Sequence, residues 1–453
     1  MKTAHQMMNK KYNTSNLSIA ILSAWSGLML VLYTLTGVSW FHLGDFSFRT
    51  AMAYHGLLIP AWMMLVLAYS RHIDPSGVIR KLQGAGAVTA SILTGIGAAL
   101  IRDQGFSFGT VIQVTGMIIA EITALAIIIG SIRHHFKTPQ DNINATAWWT
   151  VTIGLTGMSL ATPLGHLAGA VKDLGENFPV LTKHAALLGL SPQDIVDGYI
   201  GSHSHQILAA FLAAAFALPL LRKSSGKPNV VYLMEKTGLI VMTAATIVQV
   251  ALYQYCAWSG WEPPDLFSNG PNGMPLDDLV LVILGAGMLL LIPGLLIKNK
   301  KSFPSKDNSQ FIKENVGIVL ISWLISVIAL GLYIEFHEQF FGHGEGNAPG
   351  VPNDLAYIRA HLLFGFMIIP LLLGALLNGN MLNTKRQKWL VAGFTILVVI
   401  TGFIGTFTWT IYLNPLMLKI SIAFITVFLF VFALQITRSG KHYSHSNDIP
   451  DNE

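Results

Sequence analysis

Twelve apolar runs, each long enough to cross a bilayer, divide the chain: 17–39, 51–70, 84–101, 109–132, 147–171, 200–221, 237–257, 279–297, 315–335, 357–377, 389–411 and 415–437. A spanning helix needs about 20 apolar residues. Hydrocarbon offers the backbone no hydrogen-bond partner, so such runs must be helices. The predicted fold class is an all-α membrane protein of 12 transmembrane helices. Composition agrees: 52% of residues are hydrophobic and 11% charged, where soluble domains carry about 25% charged residues. Residues 1–453 read as a single integral membrane domain. Within it, 1–16 is a polar N-terminus with no signal peptide, 17–437 a twelve-helix bundle and 438–453 a polar tail. The single cysteine, Cys256, excludes an internal disulfide framework and a multi-cysteine metal site. There is no CxxCH, hence no attached c-type haem on this chain.

Charge sets the orientation. With the N-terminus in the cytoplasm, every lysine and arginine falls on inside segments except Arg49, Arg102, Lys172, Lys183, Arg359 and Lys419. This is the positive-inside pattern, and it places both termini in the cytoplasm. The net charge of +5 therefore follows the membrane and implies lipid as partner, with no nucleic acid. The chain reads as a multi-pass protein of the cell inner (cytoplasmic) membrane. Its longer connections, 172–199, 258–278 and 335–354, lie on the outer side.

Against this background the histidines stand out. AMAYHGLLIPAWMMLVLAYS carries His55, IGSHSHQILAAFLAAAFALPLL carries His203 and His205, and YIRAHLLFGFMIIPLLLGALL carries His361. All lie just inside the second, sixth and tenth runs, which enter from the outer side. His166, near the outer end of the fifth run, shares that depth. The spacing of four implies a pseudo-threefold arrangement of 4-helix units with a site built between repeats. A single histidine at this depth is ordinarily a ring bonded to a carbonyl. Five at one level, with no carboxylate or thiolate cluster beside them, point to ligation by imidazole. His-ligated haem is the simplest fit. Gly56, Gly165, Gly169 and Gly365 would leave room for a flat ring.

Topology and motifs together resemble subunit I of the haem–copper oxidase and nitric oxide reductase superfamily. The segment AYHGLLIPAWMM is similar to that family's helix-2 stretch around a low-spin haem ligand, which His55 matches. On helix 10 the family has His-x-His; here the stretch is Arg359-Ala360-His361, and only the second position matches. The resemblance implies haem b held between helices 2 and 10 by His55 and His361. It also implies electron transfer or NO/O2 redox chemistry, and a donor subunit, a soluble cytochrome c or a quinol as partner. Arg49 and Arg359, at the mouths of those helices, are placed to pair with haem propionates.

The departures are as specific. The family's helix-7 histidine pair is absent from Leu252-Tyr253-Gln254-Tyr255-Cys256. The usual binuclear centre therefore cannot be assembled, and a second haem, copper or non-haem iron would need His166, His203 and His205. His203-Ser204-His205-Gln206 also resembles the helix-6 segment of NnrS-type haem–copper membrane proteins, with Gln206 in place of Glu. Two residues on a helix lie about 200° apart, so His203 and His205 face different neighbours. Two alternatives stand beside a haem-dependent oxidoreductase. One is a non-enzymatic NnrS-like protein for NO response; the other is a cofactor-free metal or proton transporter, against which stands the lack of intramembrane Asp or Glu apart from Glu121. His42, His184, His337 and His343 read as loop residues, and Trp148, Trp149, Trp258 and Trp261 as interfacial ones.

Overall fold

The computed structural model describes residues 2–35, 48–71, 78–101, 107–137, 143–174, 179–222, 229–259, 265–266, 274–297, 308–334 and 354–445. In chain order the helices are α1 (Lys2–Leu35), α2 (Phe48–Ser70), α3 (Val78–Leu100), α4 (Phe108–Lys137), α5 (Ala145–Leu174), α6 (Pro179–Leu188), α7 (Pro192–Ala217) and α8 (Asn229–Ser259). Then come α9 (Leu276–Leu289), α10 (Ile292–Leu296), α11 (Ser309–Trp323), α12 (Asp354–His361), α13 (Ile369–Leu376), α14 (Lys385–Tyr412) and α15 (Leu416–His445). A two-residue antiparallel ladder, Asp265–Leu266 with Met274–Pro275, precedes α9.

Among the described residues, eleven helical segments are long and apolar enough to cross a membrane. The chain is an all-α, multi-pass membrane protein. The fifth run of the sequence is the helix α5, 30 residues long, but its threonines, glycines and tryptophans leave it less apolar than the rest. Two further differences are local. The connection 172–199, read as loop, contains α6 and the first turns of α7. The eighth run is broken between α9 and α10, where Pro293 stands at the start of the new helix. A proline there lacks the N–H that would continue the preceding turn.

Which helices lie inside is clear from burial. In the spans of α2, of α7 and of the segment holding α12 and α13, 78%, 78% and 83% of residues are buried, against 33–56% in the other eight. These are the three runs that carry His55, His203, His205 and His361. The outer helices turn apolar stripes to the surroundings, as with Val111, Ile118, Ile122, Leu125 and Ile129 on α4, the expected lipid face of a bundle.

Helix contacts in lipid rely on small residues and buried hydrogen bonds, since the hydrophobic effect gives little preference for helix over lipid. Gly154 of α5 shows this against α7: a Cβ there would lie 2.6 Å from the Ala210 carbonyl oxygen. Near the end of α2, Tyr69 shares its hydroxyl with Ser131 of α4 at 2.6 Å and Thr152 of α5 at 2.8 Å. Trp148 Nε1 donates to the same Ser131 hydroxyl at 3.1 Å. Trp148 therefore turns inward, only 1% exposed, and His135 stacks on it. The interfacial role read from sequence fits Trp149 and Trp258, which are exposed; Trp261 lies outside the described residues. Removing the shared hydroxyl in Tyr69→Phe is expected to destabilise the bundle by about 0.6–1.7 kcal/mol, the range for single hydrogen bonds between membrane helices. Thermal unfolding in detergent checks this; an unchanged midpoint would show the network to be dispensable.

The helix bearing His361 is not a uniform α-helix. Between α12 and α13, Leu362–Ile368 forms a wider π segment. A second π segment, Leu324–Ala329, follows α11. The Tyr357 hydroxyl, one turn before His361, donates to the Val327 carbonyl inside the second segment at 2.8 Å. Such insertions concentrate at functional sites and persist where neighbours re-satisfy the displaced carbonyls.

Candidate functional site: a layer of histidines

His55 sits two turns into α2, half-buried, five residues before Pro60. Pro60 cannot donate to the Gly56 carbonyl, which loosens the helix just below the histidine. Across from it, the ring of His203 lies nearly parallel to that of His55, with centroids 5.8 Å apart and planes 20° from parallel. The stretch of α7 around His203 and His205 lies in the buried interior, and His203 itself is 9% exposed.

His203 is fixed from the α5 side. Its Nδ1 is 2.8 Å from the Ala161 carbonyl oxygen. A carbonyl only accepts, so Nδ1 carries the proton and Nε2 is the ring's remaining lone-pair nitrogen. Gly165 provides the space: a Cβ there would lie 2.7 Å from both His203 nitrogens. One residue further, His166 contributes a half-buried ring whose Nε2 has no hydrogen-bond partner. His166 and His55 are both within electrostatic range of His203.

His205 faces the other way. Its ring stacks on Tyr253 of α8, with centroids 5.5 Å apart and planes 11° from parallel. Its Nδ1 is 2.9 Å from the Gly201 carbonyl one turn back. The angular separation expected for residues two apart is thus realised: His203 serves the α5 and α2 side, and His205 the α8 side. His361 lies within electrostatic range of His205. Its ring contacts Tyr357 and Phe366, with centroids 5.6 and 5.0 Å away, and its Nδ1 is buried without a hydrogen bond.

Two glutamines that the sequence reading treated only as departures prove structural. Gln206 Nε2 donates to the Gly157 carbonyl at 2.9 Å, and its Oε1 accepts from Gln254 Nε2 at 3.1 Å. Gln254 also reaches the Leu160 carbonyl at 2.8 Å. Together they lace α5, α7 and α8 directly beneath the histidines. The spacing of two polar amides on adjacent apolar faces was the available signal.

Arg49 lies in the first turn of α2 and Arg359 in the last turn of α12, two residues before His361. Glu121 of α4 faces Ser159 and Thr162 on α5, and its Oε2 is buried without a hydrogen bond. His184 belongs to α6 rather than to a loop, and its nitrogens meet the Tyr199 hydroxyl and the Trp258 carbonyl, each at 2.7 Å. His42, His337 and His343 lie outside the described residues.

Among the described residues, no three His, Cys, Asp or Glu side chains converge as a metal-ion site. Iron porphyrin makes a smaller demand, because its ring supplies four nitrogens and the protein needs only one or two axial imidazoles. The orphaned buried nitrogen of His166 and the carbonyl-oriented ring of His203 are donors of the kind such a group takes. Comparison with known proteins finds no matching family model, curated protein or solved structure.

Proposed function

We propose that this chain is a haem-binding membrane protein of the oxidoreductase kind, holding haem b by imidazoles of the histidine layer. The observation that supports it is the meeting of His55 of α2 and His203 of α7 ring to ring, with His166 of α5 in electrostatic range of both and its buried Nε2 left without a partner. A buried polar atom without a hydrogen bond costs about 1–3 kcal/mol, a cost that ligation removes. Twelve spans with cytoplasmic termini, as the lysine and arginine bias implies, would put this layer in the outer half of an inner membrane. On the family resemblance alone, the axial pair would be His55 and His361.

Bound haem b supplies a one-electron iron couple, suited to electron transfer or to redox chemistry of NO or O2. The chain's own residues have separate tasks. The Ala161 and Gly201 carbonyls hold the tautomers of His203 and His205, so that Nε2 of each faces outward from its anchor. The Gln206–Gln254 lattice keeps α7 from rotating. Arg359, half-buried in the last turn of α12, offers a guanidinium for propionates. With no c-type haem on the chain, electrons arrive from a partner subunit, a soluble cytochrome or a quinol.

The deciding experiment is a reduced-minus-oxidised visible spectrum of the purified protein with haem and metal quantified. Low-spin haem b bands with iron near one or more per chain are expected; a colourless, iron-free protein would overturn the proposal and favour a transporter. Adding CO or NO to the reduced protein distinguishes redox chemistry on a gas from electron transfer alone, because only an open iron site shifts its bands.

A further inference from the structure

Resting on the haem reading above, we infer that His203 on α7, rather than His361, is the imidazole that pairs with His55 across one porphyrin iron.

Three observations carry this. The first is distance: the centroids of the stacked His55 and His203 rings lie 5.8 Å apart. Two imidazoles that grip one metal from opposite sides, each at about 2 Å, hold their centroids about 6 Å apart. Ordinary aromatic contacts cover the same range, so separation alone does not decide.

The second is orientation. Metal-binding histidines almost always give their other ring N–H to a carbonyl or carboxylate, which fixes the ring and raises its basicity. His203 has that bond, Nδ1 to the Ala161 carbonyl at 2.8 Å. His361 does not: its Nδ1 is buried with no acceptor. Of the two candidates for the second axial position, only His203 is held ready.

The third is space. Gly165 removes the side chain that would otherwise occupy the position of the His203 ring, whose nitrogens lie 2.7 Å from where a Cβ would be. Alanine, common elsewhere along these helices, would already push the ring away. The backbone of α5 is thus shaped around this one imidazole. His361 instead has its ring against Tyr357 and Phe366.

The test uses the full chain in lipid nanodiscs. Porphyrin per chain, the low-spin signal of oxidised iron by electron paramagnetic resonance, and helicity are measured for wild type, His203→Ala, His203→Met and His361→Ala. The expected result is near-complete loss of the low-spin signal in His203→Ala at unchanged helicity, with recovery on adding imidazole. His203→Met is expected to keep bound iron with an altered, higher reduction potential, because thioether ligation raises it. His361→Ala is expected to retain the wild-type signal of this iron. Loss of that signal in His361→Ala, or a wild-type spectrum in His203→Met, overturns the pairing while leaving the haem reading intact. Absence of porphyrin from the wild type overturns the haem reading itself.

Discussion

Replacing His55 by alanine is expected to abolish the low-spin haem signal while leaving the protein inserted and helical. His55 is the one residue shared by both axial pairings, the one with His361 from family resemblance and the one with His203 from geometry. Its ring faces His203 at 5.8 Å. Alanine is a good helix former, and His55 is only half-buried, so α2 itself should survive. The measurement is the visible spectrum with porphyrin content, alongside elution as a single species in detergent. Retention of a wild-type low-spin signal would show that the iron is held elsewhere, on His166, His205 or His361.

The second large effect is expected from Gly165→Val, a substitution that touches no ligand atom. Valine would drive its Cβ and two methyl groups into the volume of the His203 ring, whose nitrogens lie 2.7 Å from the first of those atoms. The ring must leave or α5 and α7 must separate. Ring displacement breaks the bond to Ala161, and loss of an orienting bond typically costs 10–100-fold in metal affinity; overpacking adds about 1–3 kcal/mol of strain. Porphyrin content and the low-spin signal should therefore fall about 10–100-fold or more. Gly154→Val, two to three turns away against Ala210, is the control. It should lower thermal stability of the α5–α7 contact without singling out the haem signal. Equal losses of signal per folded chain in both variants would assign Gly165 to helix packing alone.

The sequence carried the large-scale order because membranes read simple quantities. Run length gave the helices, and histidine depth picked out the helices that prove to be the most buried. What it could not carry is azimuth. Whether His55 faces His203 or His361 depends on the rotation of each helix about its own axis, set by contacts such as Gly154 on Ala210 and Gln206 on Gly157 between distant parts of the chain. Trp148 was misjudged for a related reason. Aromatic residues near span ends are usually interfacial, but a hydroxyl on the next helix drew this indole inward. The α5 helix was counted from length and pattern, although its threonines and glycines, the residues that allow its close approach to α7, weaken its apolar character.

The π segment Leu362–Ile368 has a consequence for how this chain is compared with others. A π turn accommodates one residue more than an α turn, and each residue advances an α-helix by about 100°. Tyr357, Arg359 and His361 are thereby swung around the axis relative to Leu371 and Leu376 on the far side of the insertion. An alignment that threads this helix as unbroken α will assign His361 the wrong compass bearing, however well its depth agrees.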